Sequence, residues 1–343
     1  MNDTEFKWFN QAQLYTMAIG AKDEYDVCSR GFGKTEGIDA PRLRRNVISM
    51  PRSTGALLSP TYSKLLTNTL PGVCAALHRM GLKRNIHYVV RRKPEKKLNF
   101  ATPMVEPFEW DHTMSFWNGT LVNLISFDRP MSANSFSLDW IMGFEAKFLD
   151  YKKITEEVFQ ANRGNEHHFR NCPWHHGMVF TTDMPTFKSG MWILDKKNLM
   201  NTIADPDWDE RLTYNDIIDT IRVVFREYKE YSEKDDKSPY YIKKIDELYK
   251  ELNFYRKKAI LYSEFDIFEN LEIISEKRIA DFKRDLPTFI FNTSILNISP
   301  RKVQNGFYSA LNEKVHTYES YNNNFLESLD FDDKIVGKTK TCK

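Results

Sequence analysis

The feature that most constrains the fold is an apolar strand that runs directly into a glycine-rich loop with a lysine. Residues 24–29 read EYDVCS, and residues 29–35 read SRGFGKT, ahead of a helix-compatible stretch. Gly31 and Gly33 allow the main chain to wrap closely, so that successive N–H groups can point at phosphate oxygens. The order strand, loop, helix favours a phosphate-binding loop over an ordinary glycine turn in which Lys34 is merely solvated.

Each side chain of this loop has an expected role beside a nucleotide. The ammonium group of Lys34 would lie against the β- and γ-phosphates, and the Thr35 hydroxyl would bind Mg²⁺. The following helix adds the positive end of its dipole. We therefore predict ATP and Mg²⁺ as cofactors. The predicted nucleotide-binding residues of the loop are Ser29, Arg30, Gly31, Phe32, Gly33, Lys34, Thr35 and Glu36.

Alternation of short apolar runs with polar, helix-like stretches over residues 1–200 predicts an α/β protein with a mostly parallel sheet flanked by helices. The Asn118-Gly119 pair between two alternating runs predicts a β-hairpin. Largely apolar runs indicate strands that are buried on both faces. The predicted strands lie at 24–29, 54–60, two within 113–127, 138–144 and 177–182.

The chain changes character after this region. Residues 205–258 carry two apolar patterns of helical spacing, separated by the polar stretch EKDDKSP, which predicts an antiparallel helical hairpin. We predict an ATPase core over 1–204, a helical hairpin insertion over 205–258, a small lid and closing part over 259–325, and a linker or tail over 326–343.

Composition narrows the function classes only weakly. The chain has 343 residues, 41% of them hydrophobic and 28% charged, which is ordinary for a globular protein. A net charge of +2 does not by itself argue for nucleic acid. The four cysteines are scattered, which favours reduced thiols and a cytoplasmic protein. The sequence contains no apolar run of membrane-spanning length and no secretory signal at its N-terminus, so we predict no membrane partner.

The loop departs from G-x-x-x-x-G-K-[ST] at its first position, where Cys28 replaces glycine, and Arg30 adds a positive charge. S-R-x-x-G-K-T resembles the deviant Walker A motif of large terminase subunits, the ATPases that pump DNA into the capsids of tailed phages. In that family a loop arginine is typical and the first glycine is often missing. The resemblance implies a P-loop NTPase with an additional-strand ATPase core, in which Arg30 organises the phosphates or senses their state.

Segments around the loop match the same family in order. FNQAQLY (9–15) resembles the glutamine motif that reads adenine, which implies that Gln11 and Gln13 pair with the edge of the base. TGALLSPTYSKL (54–65) resembles the second strand of the family and its loop.

Later segments also keep the family's order. GMVFTTDMP (177–185) resembles the coupling motif, with Thr181 and Thr182 as its pair of small hydroxyl residues. YSEFDIFEN (262–270) and residues 285–308 resemble the lid and the closing segment of the ATPase domain. The resemblance therefore covers nearly the whole chain, with 205–258 as an insertion.

The Walker B position is the important departure. Walker B needs an apolar strand that ends in two carboxylates, one for Mg²⁺ and one for the attacking water. The strand 138–144 ends GFEA, so that Phe144 stands at the aspartate position and Glu145 at the catalytic position. Asp139 lies roughly 16 Å back along the strand and therefore at the wrong end. We hypothesise that Asp183, after the neighbouring strand, or water on Glu145 completes the Mg²⁺ shell; the alternative is that Asp183 only caps the next turn.

By resemblance, the chain is predicted to be an ATP-hydrolysing motor that moves double-stranded DNA into a procapsid. Lys34 and Arg30, with Mg²⁺, would neutralise the γ-phosphoryl group while Glu145 positions water. The implied partners are double-stranded DNA, the portal protein, a small terminase subunit and other copies in a ring, for which a pentamer is predicted. The implied place of action is the host cytoplasm, docked transiently on the procapsid portal and absent from the mature virion.

Two other functions stay open. One is another P-loop DNA motor such as a helicase, and the other is an assembly module that binds ATP without hydrolysing it, because Phe144 replaces the Walker B aspartate. Large terminases usually also carry a C-terminal nuclease domain with metal-binding aspartates. The only late acidic cluster is Asp330, Asp332 and Asp333, with ten residues after it. We therefore expect a motor domain without the nuclease.

Three further segments have two interpretations each. The basic run 79–97, with His87 and Tyr88 interleaved, can track a phosphate backbone or form a solvated loop. PRLRR (41–45) can likewise track a phosphate backbone, or one of Arg42, Arg44 and Arg45 can serve as a finger on a neighbouring subunit. NCPWHHG (171–177) can hold zinc or pack as ordinary polar side chains.

Overall fold

The fold was analysed in a computed structural model, which describes residues 9–127, 136–234 and 238–300. Within these residues, eight strands form a central sheet and two form a small separate hairpin. In chain order the strands are β1 (Asp23–Cys28), β2 (Thr54–Ser59), β3 (Tyr88–Val90), β4 (Thr113–Phe116), β5 (Leu121–Ser126), β6 (Trp140–Phe144), β7 (Gly177–Thr182), β8 (Ile203–Asp205), β9 (Asp209–Thr213) and β10 (Ile260–Phe265). Every strand predicted from the sequence is present.

The central sheet has the order β10-β1-β7-β6-β2-β5-β4-β3. All neighbours from β10 to β5 pair in parallel, and β3 and β4 are antiparallel additions at one edge. Strand β7 lies between β1, which leads into the glycine-rich loop, and β6, which ends at Phe144. This is the predicted additional-strand arrangement, and the Asn118-Gly119 turn joins β4 to β5 as predicted.

The middle of the sheet is buried on both faces, as the apolar runs predict. All residues of β2 and β6 are buried. Gly55 on β2 lies beside Trp140 on β6, and a Cβ atom on Gly55 would come 2.1 Å from the indole ring. The indole therefore fills the space that a side chain at position 55 would need.

Helices and short helical turns cover both faces of the sheet. None of the helices within the described residues is long and apolar enough to cross a bilayer. The helices are α1 (Gln11–Ile19), α2 (Ala40–Ser49), α3 (Tyr62–Lys64), α4 (Leu70–Arg79), α5 (Tyr151–Lys153), α6 (Phe159–Ala161), α7 (Glu166–Phe169), α8 (Trp192–Leu199), α9 (Tyr214–Ser232), α10 (Pro239–Lys258), α11 (Glu276–Asp285) and α12 (Thr288–Ile290). Helical turns of π type span Thr35–Asp39, Leu65–Thr69, Ile154–Val158 and Phe291–Ile295, and 3₁₀ turns span Lys96–Leu98, Ala146–Phe148, Lys188–Gly190 and Ile267–Asn270.

The two long helices α9 and α10 pack against each other inside the predicted insertion. Thr213 caps α9, because its side chain accepts from the Asp216 N–H and the Asp216 side chain accepts from the Thr213 N–H in return. Ile217 and Ile221 of α9 and Leu252 of α10 are buried in one cluster with residues of α1 and β10. The hairpin β8–β9 directly before α9 was not anticipated.

The boundaries of the four predicted segments stay predictions. Residues 301–343, including Asp330, Asp332 and Asp333, lie outside the described part of the chain.

A buried ion pair ties α2 to the start of β1. The Nη1 atom of Arg42 lies 2.9 Å from the Oε1 atom of Glu24, and both side chains are at most 3% exposed. The same guanidinium donates to the carbonyls of Ala21 and Lys22. Arg42 is thus a structural residue, and the suggestion that it acts as a finger toward another subunit is wrong.

The other two arginines of PRLRR differ from each other in exposure. Arg45 donates to the Met17 carbonyl at 2.6 Å and lies over the Trp174 ring. Burial lowers the pKa of Arg45 to about 10. Of the three, only Arg44 is exposed to solvent.

Candidate functional site

The glycine-rich loop leaves the carboxyl end of β1 with the main-chain geometry that its sequence predicts. Gly31 and Gly33 have φ of +91° and +86°, a region that favours glycine. A Cβ atom on Gly33 would come 2.8 Å from the Nε2 atom of Gln13. The two glycines are therefore required by conformation, and Gly33 also by close contact with α1.

Side chains from outside the loop hold it in place. The Gln13 amide donates to the carbonyls of Phe32, at 3.0 Å, and Gly33, at 3.2 Å, and its oxygen accepts from the Asn10 N–H. Asn270 donates to the Gly31 carbonyl at 2.7 Å. The adenine-reading role of Gln13 stays a prediction, but its amide is occupied by the loop. Gln11 is exposed on α1 and takes no part in these bonds.

Cys28 fits the position of the missing glycine because its side chain is accommodated in a small apolar cluster. It is fully buried and packs with Ala12, Phe32 and Ile38. The Nζ atom of Lys34 donates to the Cys28 carbonyl at 2.9 Å, so that the ammonium group lies folded against the loop. The replacement of glycine by cysteine therefore leaves the loop intact.

A cavity of about 260 Å³ lies in front of the loop. Its walls bring together side chains from five parts of the sequence: the loop, the turn after it, the end of β2 with the helical segment that follows, the end of β6 and the end of β7. Predicted site residues that line it are Arg30, Lys34, Thr35, Glu145 and Thr181, joined by Asp39 and Phe144. Thr182 and Asp183 follow on the same strand end, but they do not line this cavity.

Glu145 stands at the mouth of this cavity in an unusual conformation. It is exposed and follows β6 directly, with φ of +51°. A residue other than glycine in this left-handed region stores strain of about 1–3 kcal/mol, and such residues cluster at functional sites. The geometry therefore holds the Glu145 carboxylate at the cavity by main-chain conformation.

Asp39 is a site residue that the sequence interpretation missed. It ends the turn Thr35–Asp39 and is buried, and its Oδ1 atom accepts from the Thr181 hydroxyl at 2.8 Å. Burial raises the pKa of Asp39 to about 7, and the charge of Glu145 adds to this rise. The hydrogen bonds from Thr181 and Thr35 and the charge of Lys34 act in the opposite direction. The spacing of four residues from Thr35, on a helix, was the available sequence signal.

Asp183 joins the end of β7 to the loop and to the end of β6. Its carboxylate is paired with Arg30, at 3.1 Å, and with the ammonium group of Lys147. Burial acts to raise the pKa of Asp183, but the charge and hydrogen bond of Lys147 hold it below its ordinary value. The Lys147 N–H donates to the Thr182 hydroxyl at 3.3 Å. That Asp183 binds Mg²⁺ stays a prediction. In this structure its carboxylate already has two cationic partners.

The other acid considered for the Walker B role, Asp139, lies at the amino end of β6, away from Glu145. Asp139 is buried at the start of β6, where it accepts from the Thr54 N–H at 2.7 Å and from Asn165 at 2.9 Å. The expectation that it lies at the wrong end for phosphate is confirmed.

The NCPWHHG segment lies near Asp139. Ligand atoms of Glu166, His175 and His176 lie within 4.8 Å of one another, but Cys172 is not among them. The Nε2 atoms of both histidines are 2.9 Å from the Gly164 carbonyl oxygen. These hydrogen bonds account for the two rings as ordinary polar packing.

The basic run 79–97 is partly neutralised and partly buried. Tyr88 belongs to β3 and is 1% exposed, so its side chain is not available for the phosphate-tracking alternative. Arg79 pairs with Glu36, and Lys93 pairs with Glu106 at 2.7 Å. The Glu36 carboxylate, which was predicted to bind nucleotide, is therefore engaged by Arg79.

Comparison with known proteins finds matches to the fold of this chain but not to its sequence. No family model and no curated protein matches the chain. The large terminase of a thermophilic bacteriophage superposes with a TM-score of 0.51 at 11% identity, covering 91% of this chain and 58% of that one. The same values describe that terminase in complex with ADP. The large terminase ATPase domain of Thermus phage P74-26 gives a TM-score of 0.45 at 13% identity, covering 86% of this chain and 95% of that one.

This chain thus spans 58% of the length of the first of these large terminases. At this identity the superposition shows a shared fold. Together with the strand order and the loop after β1, it confirms the predicted architecture. The chain has the P-loop NTPase fold of the large terminases.

Proposed function

We propose that the chain is an ATP-hydrolysing motor of the terminase type, which translocates double-stranded DNA into a procapsid. The observation that carries the proposal is the cavity at the carboxyl ends of β1, β6 and β7. It is lined by the loop lysine, Thr35 and the strained Glu145. In open α/β sheets ligands bind outside the carboxyl ends of the strands, and a loop of this geometry binds phosphate.

The residues of the site have complementary roles in phosphoryl transfer. Lys34 is free to exchange the Cys28 carbonyl for phosphate oxygens, because both are hydrogen-bond acceptors for its ammonium group. Glu145 would orient the attacking water and accept its proton at the carboxylate. Arg30 would leave Asp183 for the γ-phosphate, so that the ends of β1 and β7 register the state of the nucleotide. Thr181 and Thr182 would pass this change to the lid and the DNA-binding surface.

The donor atoms around the cavity fit Mg²⁺. Hydroxyl and carboxylate oxygens are the ligands that this ion prefers, and Thr35 offers the hydroxyl. When bound, Mg²⁺ neutralises charge on the β- and γ-phosphate oxygens.

The larger assembly is proposed from the shared fold and from the resemblance of the loop sequence. The partners are double-stranded DNA, the portal protein, a small terminase subunit and further copies of this chain in a pentameric ring. Action on the procapsid portal in the host cytoplasm belongs to the same proposal. The ADP complex of the thermophilic-phage large terminase supports nucleotide binding in this fold.

One observation favours a second candidate. Phe144 stands where an aspartate is expected, and its side chain is buried in the core. A chain without that carboxylate can bind nucleotide as an assembly module and not hydrolyse it.

Phosphate release measured with and without duplex DNA separates these two functions. DNA-stimulated release supports the motor, and tight ATP binding with no release under either condition supports the assembly module. Strand separation during release would instead indicate a helicase.

Gln13 and Gln11 give a prediction about base recognition. If Gln13 holds the loop, Gln13→Ala leaves two loop carbonyls without a donor, at a cost of about 1–3 kcal/mol. We expect ATP and GTP affinities to fall together, by about tenfold, without a change in their ratio.

Calorimetric titration of both nucleotides measures this effect, with Gln11→Ala as the matched control that leaves both affinities unchanged. A selective loss of ATP affinity would show that Gln13 reads the base.

A further inference from the structure

The strand that ends in Phe144 does not provide the carboxylate that P-loop ATPases use beside Mg²⁺. Phe144 is 3% exposed and packs in one apolar cluster with Leu43 and Val47 of α2. A phenyl ring has no oxygen to offer a cation. A hydrolysing enzyme with this fold must therefore obtain that oxygen from another part of the chain.

Asp39 brings a carboxylate to the same place from the helical turn after the loop. Its Oδ1 atom accepts from the Thr181 hydroxyl at 2.8 Å. Thr181 on β7 is the register partner of Phe144 on β6, so the two residues lie side by side across adjacent strands. Because side chains alternate between the faces of a sheet, both point toward the side on which α2 packs. Asp39 thus occupies the neighbourhood of the side chain that Phe144 replaces.

The position of Asp39 relative to the loop is also suitable. Asp39 lies four residues after Thr35, and the two residues are the ends of a single turn, closed by the bond from the Ala40 N–H to the Thr35 carbonyl. Both line the cavity that contains Lys34 and Glu145. Among residues 9–127, 136–234 and 238–300, no basic side chain forms an ion pair with Asp39. Burying a carboxylate without a cationic partner is costly, and a cation in the cavity would remove that cost.

Asp183 is the competing carboxylate, and its surroundings differ. It is paired with both Arg30 and Lys147. A divalent cation at Asp183 would have to displace or approach these two positive charges. Asp39 forms no ion pair within the described residues, and the charge of Lys34 acts on it from the same cavity.

We propose that Asp39 supplies the carboxylate of the Mg²⁺ coordination sphere, together with the Thr35 hydroxyl, in place of the Walker B aspartate. The proposal rests on the proposed nucleotide site and adds to it a residue from the helical turn that follows the loop. It also removes the reason to regard Phe144 as evidence against hydrolysis, because the missing oxygen comes from the α2 side of the same cavity.

The test is Mn²⁺ binding to the ADP-bound protein, measured by electron paramagnetic resonance, which needs no turnover. Asp39→Asn keeps the shape of the side chain and an oxygen for the Thr181 hydroxyl, but it removes the charge. We expect Asp39→Asn to weaken Mn²⁺ binding by about 10–100-fold, the range seen when groups that support a metal site are removed. Asp183→Asn tests the competing carboxylate, and Asp195→Asn, at an exposed aspartate of α8 outside the cavity, is the matched control that should leave Mn²⁺ binding within about twofold.

Affinity for ADP in the presence of EDTA serves as the folding control for each variant. Asp39→Ala is the second variant, used if Asp39→Asn does not pass this control. Unchanged Mn²⁺ affinity in a folded Asp39 variant overturns the proposal, as does a loss in Asp183→Asn alone. If the wild-type protein binds no nucleotide, the proposed function itself fails, which is a different result.

Discussion

Glu145→Gln is expected to lower ATP hydrolysis by about 100–10,000-fold and to leave ATP binding intact. This is the usual contribution of a positioned general base. The amide of glutamine cannot accept a proton from water, but it has nearly the same size as the carboxylate. Glutamine meets the same steric limits as glutamate at the left-handed φ of +51°, so the substitution adds no further backbone strain. The measurement is single-turnover phosphate release at saturating ATP, beside an equilibrium titration with ATP.

The matched control is Glu156→Gln, which changes an exposed glutamate on the turn Ile154–Val158, outside the cavity. This variant should hydrolyse ATP at the wild-type rate. If Glu145→Gln did so too, Glu145 could not be the base, and the assignment of the β6 end as Walker B would be wrong.

Arg42→Met is expected to lower the free energy of unfolding by about 3–5 kcal/mol at pH 7. Removing one partner of a buried ion pair leaves the other charge uncompensated. Here the remaining charge is Glu24, and the carbonyls of Ala21 and Lys22 lose their donor as well. Urea unfolding followed by circular dichroism measures the change. Arg44→Met, on the exposed side of the same helix, should change it by no more than about 0.5 kcal/mol.

The effect of Arg42→Met should also depend on pH. Burial raises the pKa of Glu24 in the folded protein, and Arg42 opposes this, so the variant raises that pKa further. A group with a raised folded-state pKa favours the folded state most at low pH and loses this contribution as pH rises through the folded pKa. The deficit of the variant should therefore shrink as pH falls from 7 toward the ordinary range of a glutamate. A deficit that is equally large at acidic pH, or absent at pH 7, would contradict the structural role of the pair.

The sequence predicted the parts of this protein that depend on local pattern. Gly31, Gly33, Lys34 and the strand before them identify the loop, because each requirement lies within a few neighbouring residues. The hairpin at Asn118-Gly119 and the buried strands are predictable for the same reason. The position of Asp139 at the end of β6 away from the phosphate site was also predictable, from the length of the strand alone.

The missed features depend on how distant segments pack. Asp39 contacts Thr181 because the turn Thr35–Asp39 packs beside β7, and the spacing of Asp39 from Thr35 does not by itself reveal that contact. Gln13 was found by its position, but its bonds to the loop depend on the placement of α1. Tyr88 looked like part of a basic surface, because strand β3 is too short to show an alternating pattern.

Calorimetric titration of ATP into the wild-type protein, Lys34→Ala and the exposed-lysine control Lys188→Ala tests most directly whether the loop binds a triphosphate. A hydrogen bond to a charged group contributes about 1.5–3 kcal/mol. We expect the wild-type protein and Lys188→Ala to bind ATP with the same affinity, and Lys34→Ala to bind it about 10–150-fold more weakly. Equal affinity in all three proteins, or no binding to any of them, would contradict the account.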